Sequence, residues 1–221
     1  MTSSHLNKDE FIRANTAVCA PPHVPEISLY LADETYDLWN KTEEELEAIG
    51  LPPPFWAFAW AGGQGLARYI LDDAHIVKNK SVLDIASGSG LVAIAAKLSG
   101  AKHVVANDID PFCASAIKLN ASLNQSELEI SLINLLENNQ QMMDRFDVIL
   151  AGDVFYDQEM TGRIWPFLQK AANSGKLVLV GDPGRSYLPK TGLEKIISYD
   201  VPVTRILEDS EIKHTSVWRV E

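Results

Sequence analysis

The chain switches between two hydrophobic periods along its length. Short, nearly continuous apolar runs bounded by polar turn residues occupy 81–85, 103–107, 128–133, 146–151 and 176–181, the pattern of strands buried on both faces of a parallel sheet. The segments 91–99, 111–123 and 158–173 between them carry apolar residues at helical spacing. Strand and helix thus alternate as in a doubly wound α/β fold. Residues 195–201 and 214–220 read as an antiparallel hairpin at one edge, completing a mostly parallel, Rossmann-like sheet of seven strands.

Upstream of residue 51 the pattern differs. Residues 8–18 read as a weak helix stopped by Pro21, Pro22 and Pro25, Ile27 to Leu31 as a short strand, and Thr35 to Ile49 as an amphipathic element ending at Gly50. The expected division is an N-terminal extension, 1–50, whose amphipathic element is a candidate cap over substrate or cofactor, and a main domain, 51–221. Pro52, Pro53 and Pro54 separate them, and the aromatic run Phe55 to Trp60 then leads as a loop into a helix expected over Gln64 to Leu71.

A chain of 221 residues buries enough surface for a core without disulfides or metal. Its formal charge of −11 and pI near 4.9 disfavour nucleic acid and anionic membranes, which attract basic patches. That charge suits a basic protein surface, and equally plain solubility. Cys19 and Cys113 form neither a zinc signature nor a disulfide framework, and the five histidines show no metal spacing. No run reaches membrane-spanning length and no leader pattern is present, so the expectation is a cytoplasmic monomer.

The chemistry concentrates after the first main strand. Ser81 to Gly90 reads Ser-Val-Leu-Asp-Ile-Ala-Ser-Gly-Ser-Gly, an apolar strand ending in Asp84 followed by a small-residue loop, and a second strand ends at Asp108. Small residues let the backbone approach a ligand, and an acidic residue at the second strand end chelates a ribose diol. Dinucleotide enzymes share that outline, but Asp84 would repel a pyrophosphate and suits the α-amino group of S-adenosylmethionine. The loop also departs from Gly-x-Gly-x-x-Gly, with Ala86 and Ala93 at two of its positions. The candidate cofactor residues are Trp60, Asp84, Ala86, Ser87, Gly88, Gly90, Asp108, Ile109 and Asn134. Trp60 reads either as adenine stacking or as core, and Asn134 either as an adenine contact or as a turn residue. Asp110, followed by Pro111, reads as a helix N-cap.

Asp153 and Tyr156 follow the strand 146–151, where an acceptor would approach the methyl group. Asp153 can hold and orient an amine, and the ring of Tyr156 favours a cationic or methylated nitrogen; alternatively Asp153 caps the next helix and Tyr156 packs beneath it. Asp182 and Arg185 either line the acceptor channel or form a local turn pair.

The Asp-x-x-Tyr motif at 153–156 resembles the signature of seven-strand protein lysine methyltransferases. As a set, Pro54-Phe55-Trp56, Trp60-Ala61-Gly62-Gly63-Gln64, Lys80 to Asp84, Ala106 to Pro111, Gly152 to Asp157, Gly181 to Arg185 and Thr215 to Trp218 resemble the electron transfer flavoprotein β subunit lysine methyltransferases. The resemblance runs from about residue 50 to the C-terminus. It implies an S-adenosylmethionine-dependent enzyme acting on lysines of that β subunit, with a ribosomal protein or a small amine such as a pyridine as alternative acceptor. Ala86 departs from the glycine usual at its position, and alanine fits there if its φ is negative.

Overall fold

The computed structural model describes residues 7–32, 53–137, 143–203 and 210–221. The amphipathic element expected over Thr35 to Ile49 lies outside them. Helix α1 (Lys8–Ala14) starts at Asn7, whose side chain accepts from the Glu10 N–H. It ends earlier than the expected residue 18. Asn15 and Thr16 turn their side chains back onto the Phe11 and Ile12 carbonyls at 2.8 and 2.6 Å, closing the helix so that residues 17–19 form a strand instead. That strand, β1 (Ala17–Cys19), pairs antiparallel with β2 (Leu29–Leu31).

After a 3₁₀ turn at Phe55–Ala57, α2 runs over Ala61–Asp72, three residues longer at its start than the apolar period implied. The main body then follows as β3 (Ser81–Ile85), α3 (Leu91–Leu98), β4 (His103–Asn107), α4 (Pro111–Leu123), β5 (Glu129–Ser131), β6 (Val148–Gly152), α5 (Gln158–Asn173), β7 (Leu177–Asp182), β8 (Leu193–Pro202) and β9 (Ile212–Val220). The sheet order is β5-β4-β3-β6-β7-β9-β8. Strands β5 to β7 of that order are parallel, while β9 runs antiparallel to β7 and β8. The edge hairpin thus forms where the alternation placed it. Strand β5 is shorter than the expected 128–133 because Leu132 and Ile133 leave the sheet and stand exposed.

Successive residues of each strand face opposite layers. Val82, Val104, Val148 and Leu150 pack under α2, α3 and α4, together with Ile12, Val24, Ile27 and Leu29 of the N-terminal segment. Leu83, Val105, Ile149, Val178 and Val180 face Ile164, Leu168 and Ala171 of α5 on the other side. Asn120, fully buried on α4, joins the N-terminal segment to the glycine loop: its Oδ1 accepts from the Tyr30 N–H at 2.8 Å and its Nδ2 donates to the Ser89 carbonyl at 2.8 Å.

The chain moves outward from β3 through β4 to β5, then returns to place β6 on the other flank of β3. Adjacent loops therefore part company between β3 and β6, leaving a crevice at the carboxyl ends of the strands.

Candidate active site

The crevice occupies about 430 Å³ and is walled by the loops after β3, β4, β6 and β7, by the aromatic segment before α2, and by the turn at Asn134. That volume falls in the range of small-molecule sites. Ten of the eleven residues singled out by sequence as cofactor or catalytic candidates line it; Gly90 does not, its side-chain position facing Ile117 of α4 instead.

At the β3–β4 end, Asp84 is only 1 % exposed. One of its oxygens accepts from Ser87 Oγ at 2.5 Å and from the Ala93 N–H at 3.0 Å. Burial pushes this carboxyl up to about 7; the two hydrogen bonds oppose that shift and the nearby Asp108 adds to it. Both of those bonds are donated by neutral groups, so the site suits a ligand that brings positive charge. The loop beyond is held open by backbone contacts. Ser87 N–H donates to the Asn107 carbonyl at 3.0 Å, and Gly88 N–H to Asp108 Oδ2 at 2.9 Å. Gly90, at φ +85°, could not carry a side chain without crowding Ile117.

Ala86 corrects an expectation. Its φ is +55°, in the left-handed region, not negative. The chain must turn there to bring Ser87 back over Asp84 while Gly88 reaches Asp108, and alanine accepts a strained backbone to do so.

Asp108 Oδ1 accepts from the Asp110 N–H at 3.1 Å. Asp110 caps α4 as expected, accepting from the Phe112 N–H at 2.8 Å. Ile109 is 65 % exposed and offers an apolar face to the crevice. Asn134 works in its turn, accepting from Leu136 N–H at 3.2 Å and donating to Glu137 at 2.7 Å, and also borders the crevice.

At the β6–β7 end the chemistry changes. Asp153 is 6 % exposed and sits at φ +60°. Its N–H donates to the Gly181 carbonyl at 2.8 Å, its Oδ2 accepts from the Gly62 N–H at 2.8 Å, and its Oδ1 accepts from Arg185 Nε at 2.5 Å. Trp60, the N-cap of α2, gives that helix no capping side-chain hydrogen bond. Asp153 supplies one from the end of β6, so a carboxylate meets the positive end of that helix. The alternative that Asp153 caps the following helix is overturned, because Asp157 does so, accepting from the Met160 N–H at 2.8 Å. Tyr156, 45 % exposed at the rim, is not packed beneath that helix. Burial, with Asp108, Asp157 and Asp153 nearby, pushes its phenol upward, so it stays protonated.

Arg185 reaches Asp153 because Asp182 shapes the turn between them in sequence. Asp182 Oδ1 accepts from the N–H groups of Gly184 and Arg185 at 2.6 and 2.8 Å. The other oxygen is buried without a partner, and burial raises this carboxyl to about 6. The guanidinium also lies 5.9 Å from the centre of the Trp60 ring. Phe55 joins Trp60 and Tyr156, with ring centres at 6.1 and 5.3 Å, and its carbonyl accepts from Trp60 Nε1 at 3.0 Å. Trp56 and Phe58 are core residues, as their alternation allowed.

Several contributors were not among the candidate site residues, although Gly62, Gly181 and Phe55 stand in segments that carry the family resemblance. A Cβ on Gly62 would meet the Gly181 carbonyl oxygen at 2.4 Å, and one on Gly181 would meet the Gly62 oxygen at 2.1 Å. These glycines let the start of α2 press against the ends of β6 and β7. Asn120, polar among apolar α4 positions, was a visible anomaly; Phe55 and Arg163 were not. Among the described residues no cluster of His, Cys, Asp or Glu suited to a metal ion occurs, and no helix is long and apolar enough to cross a membrane.

Human electron transfer flavoprotein β subunit lysine methyltransferase is 37 % identical across 94 % of this chain and 80 % of its own length. The chain belongs to the electron transfer flavoprotein β subunit lysine methyltransferases. The zebrafish (Danio rerio) member of this lysine methyltransferase family is likewise 37 % identical, across 99 % of the chain and 85 % of its own. The model of the ribosomal protein L11 methyltransferase family (PrmA) matches only residues 68–155. A ribosomal protein L11 methyltransferase from Lactobacillus gasseri is 34 % identical over 62 % of the chain and 43 % of itself. The lysine methyltransferase likeness therefore extends well beyond the part shared with other methyltransferases. A solved Thermoplasma acidophilum protein superposes with a TM-score of 0.53 at 16 % identity, over 70 % of this chain and 87 % of its own, a likeness of fold.

Proposed function

We propose that this protein methylates lysine ε-amino groups with S-adenosylmethionine, and that its acceptor is the β subunit of electron transfer flavoprotein. The observation that carries the reading is 37 % identity sustained over 94 % of the chain. The crevice fits the donor on its own terms: a buried carboxylate held only by neutral donors, beside a small-residue loop, Ala86 to Ser89, that lines the crevice.

Bound S-adenosylmethionine supplies a methyl group activated by a positively charged sulfur. Asp84 would take its α-ammonium, Ala86, Ser87, Gly88 and Gly90 the backbone-lined methionine part, and Asp108 the ribose hydroxyls. Ile109 and Asn134 would border the adenine. Trp60, between the Phe55 ring and the Arg185 guanidinium, would border the bound donor. Asp153 and Tyr156 hold the acceptor: the carboxylate orients the nitrogen by hydrogen bonding, and the phenol ring favours an alkylated amine. The acidic chain suits a lysine-bearing protein surface rather than nucleic acid or membrane, and the enzyme acts as a monomer in the cytoplasm.

Purified enzyme, electron transfer flavoprotein and isotopically labelled S-adenosylmethionine test this by intact-mass measurement. Methyl mass on the β subunit is the expected result. Label confined to a ribosomal protein or to small amines would overturn the acceptor, and label on no protein would overturn lysine methylation itself.

A further inference from the structure

We infer that Arg185 is a positioning residue that keeps the acceptor nitrogen in its neutral, reactive form, by pairing with Asp153 so that the carboxylate orients the amine without stabilising it as an ammonium. The inference rests on the lysine methyltransferase reading above and adds a role to a residue which that reading leaves idle.

A free lysine amine has a pKa of about 10.4, so roughly one in a thousand is neutral near pH 7.5. Only that fraction carries the lone pair that methyl transfer needs. An uncompensated buried carboxylate beside the amine would make matters worse, since opposite charge favours the ionised form. Asp153 is placed to do this, its side chain only 4 % exposed. Arg185 removes the conflict. Its guanidinium is permanently charged, 19 % exposed, and 2.5 Å from Asp153 Oδ1. The Gly62 N–H on the other oxygen adds the positive end of α2. Held this way, Asp153 meets the amine with its charge already balanced by Arg185 and the start of α2.

The surrounding charges make Arg185 decisive. Asp182 interacts electrostatically with both Asp153 and Arg185, and Asp108, Asp157 and Asp153 all act on Tyr156 in the same crevice. On α5, Arg163 is paired with Glu137 at 3.2 Å. Removing Arg185 leaves this end of the crevice dominated by carboxylates, a setting that retains an ammonium. In the reaction the acceptor ammonium gives its proton to water, the freed lone pair forms the N–C bond, and the C–S bond of the donor breaks with its electron pair left on sulfur.

The test is kcat/KM for the flavoprotein β subunit between about pH 6.5 and about pH 10 in the full-length enzyme. Arg185→Met should displace the rising limb of the profile by about one unit to higher pH or more, giving a loss of about tenfold near pH 7.5 that shrinks at the alkaline end. Arg185→Gln, which keeps a donor toward Asp153 without charge, gives the same readout if the methionine variant folds poorly. Arg185→Lys should keep the wild-type midpoint. Binding of S-adenosylhomocysteine, followed by calorimetry, should be unchanged in all three. A loss of equal size at every pH, or none, would overturn the inference while leaving the lysine methyltransferase reading intact. An inactive wild-type enzyme would overturn both.

Discussion

Asp84 and Asp153 are buried carboxylates at strand ends in one crevice, yet the chain treats them oppositely. Asp84 is held by a serine hydroxyl and an amide N–H, and burial raises its affinity for a proton to about pH 7. Asp153 is held by a helix N-terminus and a guanidinium. The first carboxylate lacks the positive charge that would settle it and is built to receive one from a tightly bound ligand. The second has its charge balanced beforehand, so that a passing amine is oriented and not trapped. One end of the crevice is arranged for affinity and the other for reactivity.

The sharpest way to break that contrast is to neutralise each carboxylate separately. Asp153→Asn should lower turnover by about 10³-fold, the scale of removing a positioned polar group from a reacting centre, while calorimetry finds S-adenosylhomocysteine affinity within about threefold of wild type. A comparable loss of cofactor affinity would merge the two ends into one. Asp84→Asn should cost about 2–5 kcal/mol of cofactor binding, the usual penalty for removing one partner of a buried charge pair.

The same residue sets a pH signature. The folded Asp84 keeps its proton up to about pH 7, whereas the unfolded one releases it near 3.8. Folding therefore takes up a proton between those values, and the ligand-free protein should lose stability as pH rises through that window and no further above it. Cofactor binding has the opposite sign, because an ammonium ligand needs the ionised carboxylate. Affinity should rise up to about tenfold per unit below pH 7 and level off above it. In Asp84→Asn this dependence should vanish from calorimetric titrations.

Much of this was legible in the sequence. Strand β3 and helix α4 match their expected ranges because unbroken apolar runs, with Gly90 and the Asp110-Pro111 pair as punctuation, leave little freedom. Asp84 and Asp108 were readable because their spacing follows from a single strand–helix–strand unit. At the acceptor end Asp153, Tyr156 and Arg185 were readable as candidates but their contacts were not, since Gly62, Asp153 and Arg185 come from three distant segments and meet only once α2, β6 and β7 are in register. The start of α2 was misplaced for the same reason. Gly62 and Gly63 look like helix breakers locally, but backbone contact with Gly181 and Gly152 requires them inside the first turn.

That contact yields a smaller effect. Gly62→Ala forces a Cβ to within 2.4 Å of a backbone oxygen, so thermal or denaturant unfolding should show a loss of about 1–3 kcal/mol, with turnover falling as Asp153 is displaced. The smallest change belongs to the cofactor end. Ala86→Gly relieves a left-handed alanine at φ +55° and should stabilise the protein by about 0.5–1 kcal/mol after the entropy cost of glycine.

The most direct test of the division between the two ends is single-turnover methyl transfer to the flavoprotein β subunit as donor concentration is raised to saturation. Asp84→Asn should recover a rate near that of wild type once the site is filled, and Asp153→Asn should stay slow at every concentration. Recovery of both variants, or of neither, would contradict the separation of holding from reacting.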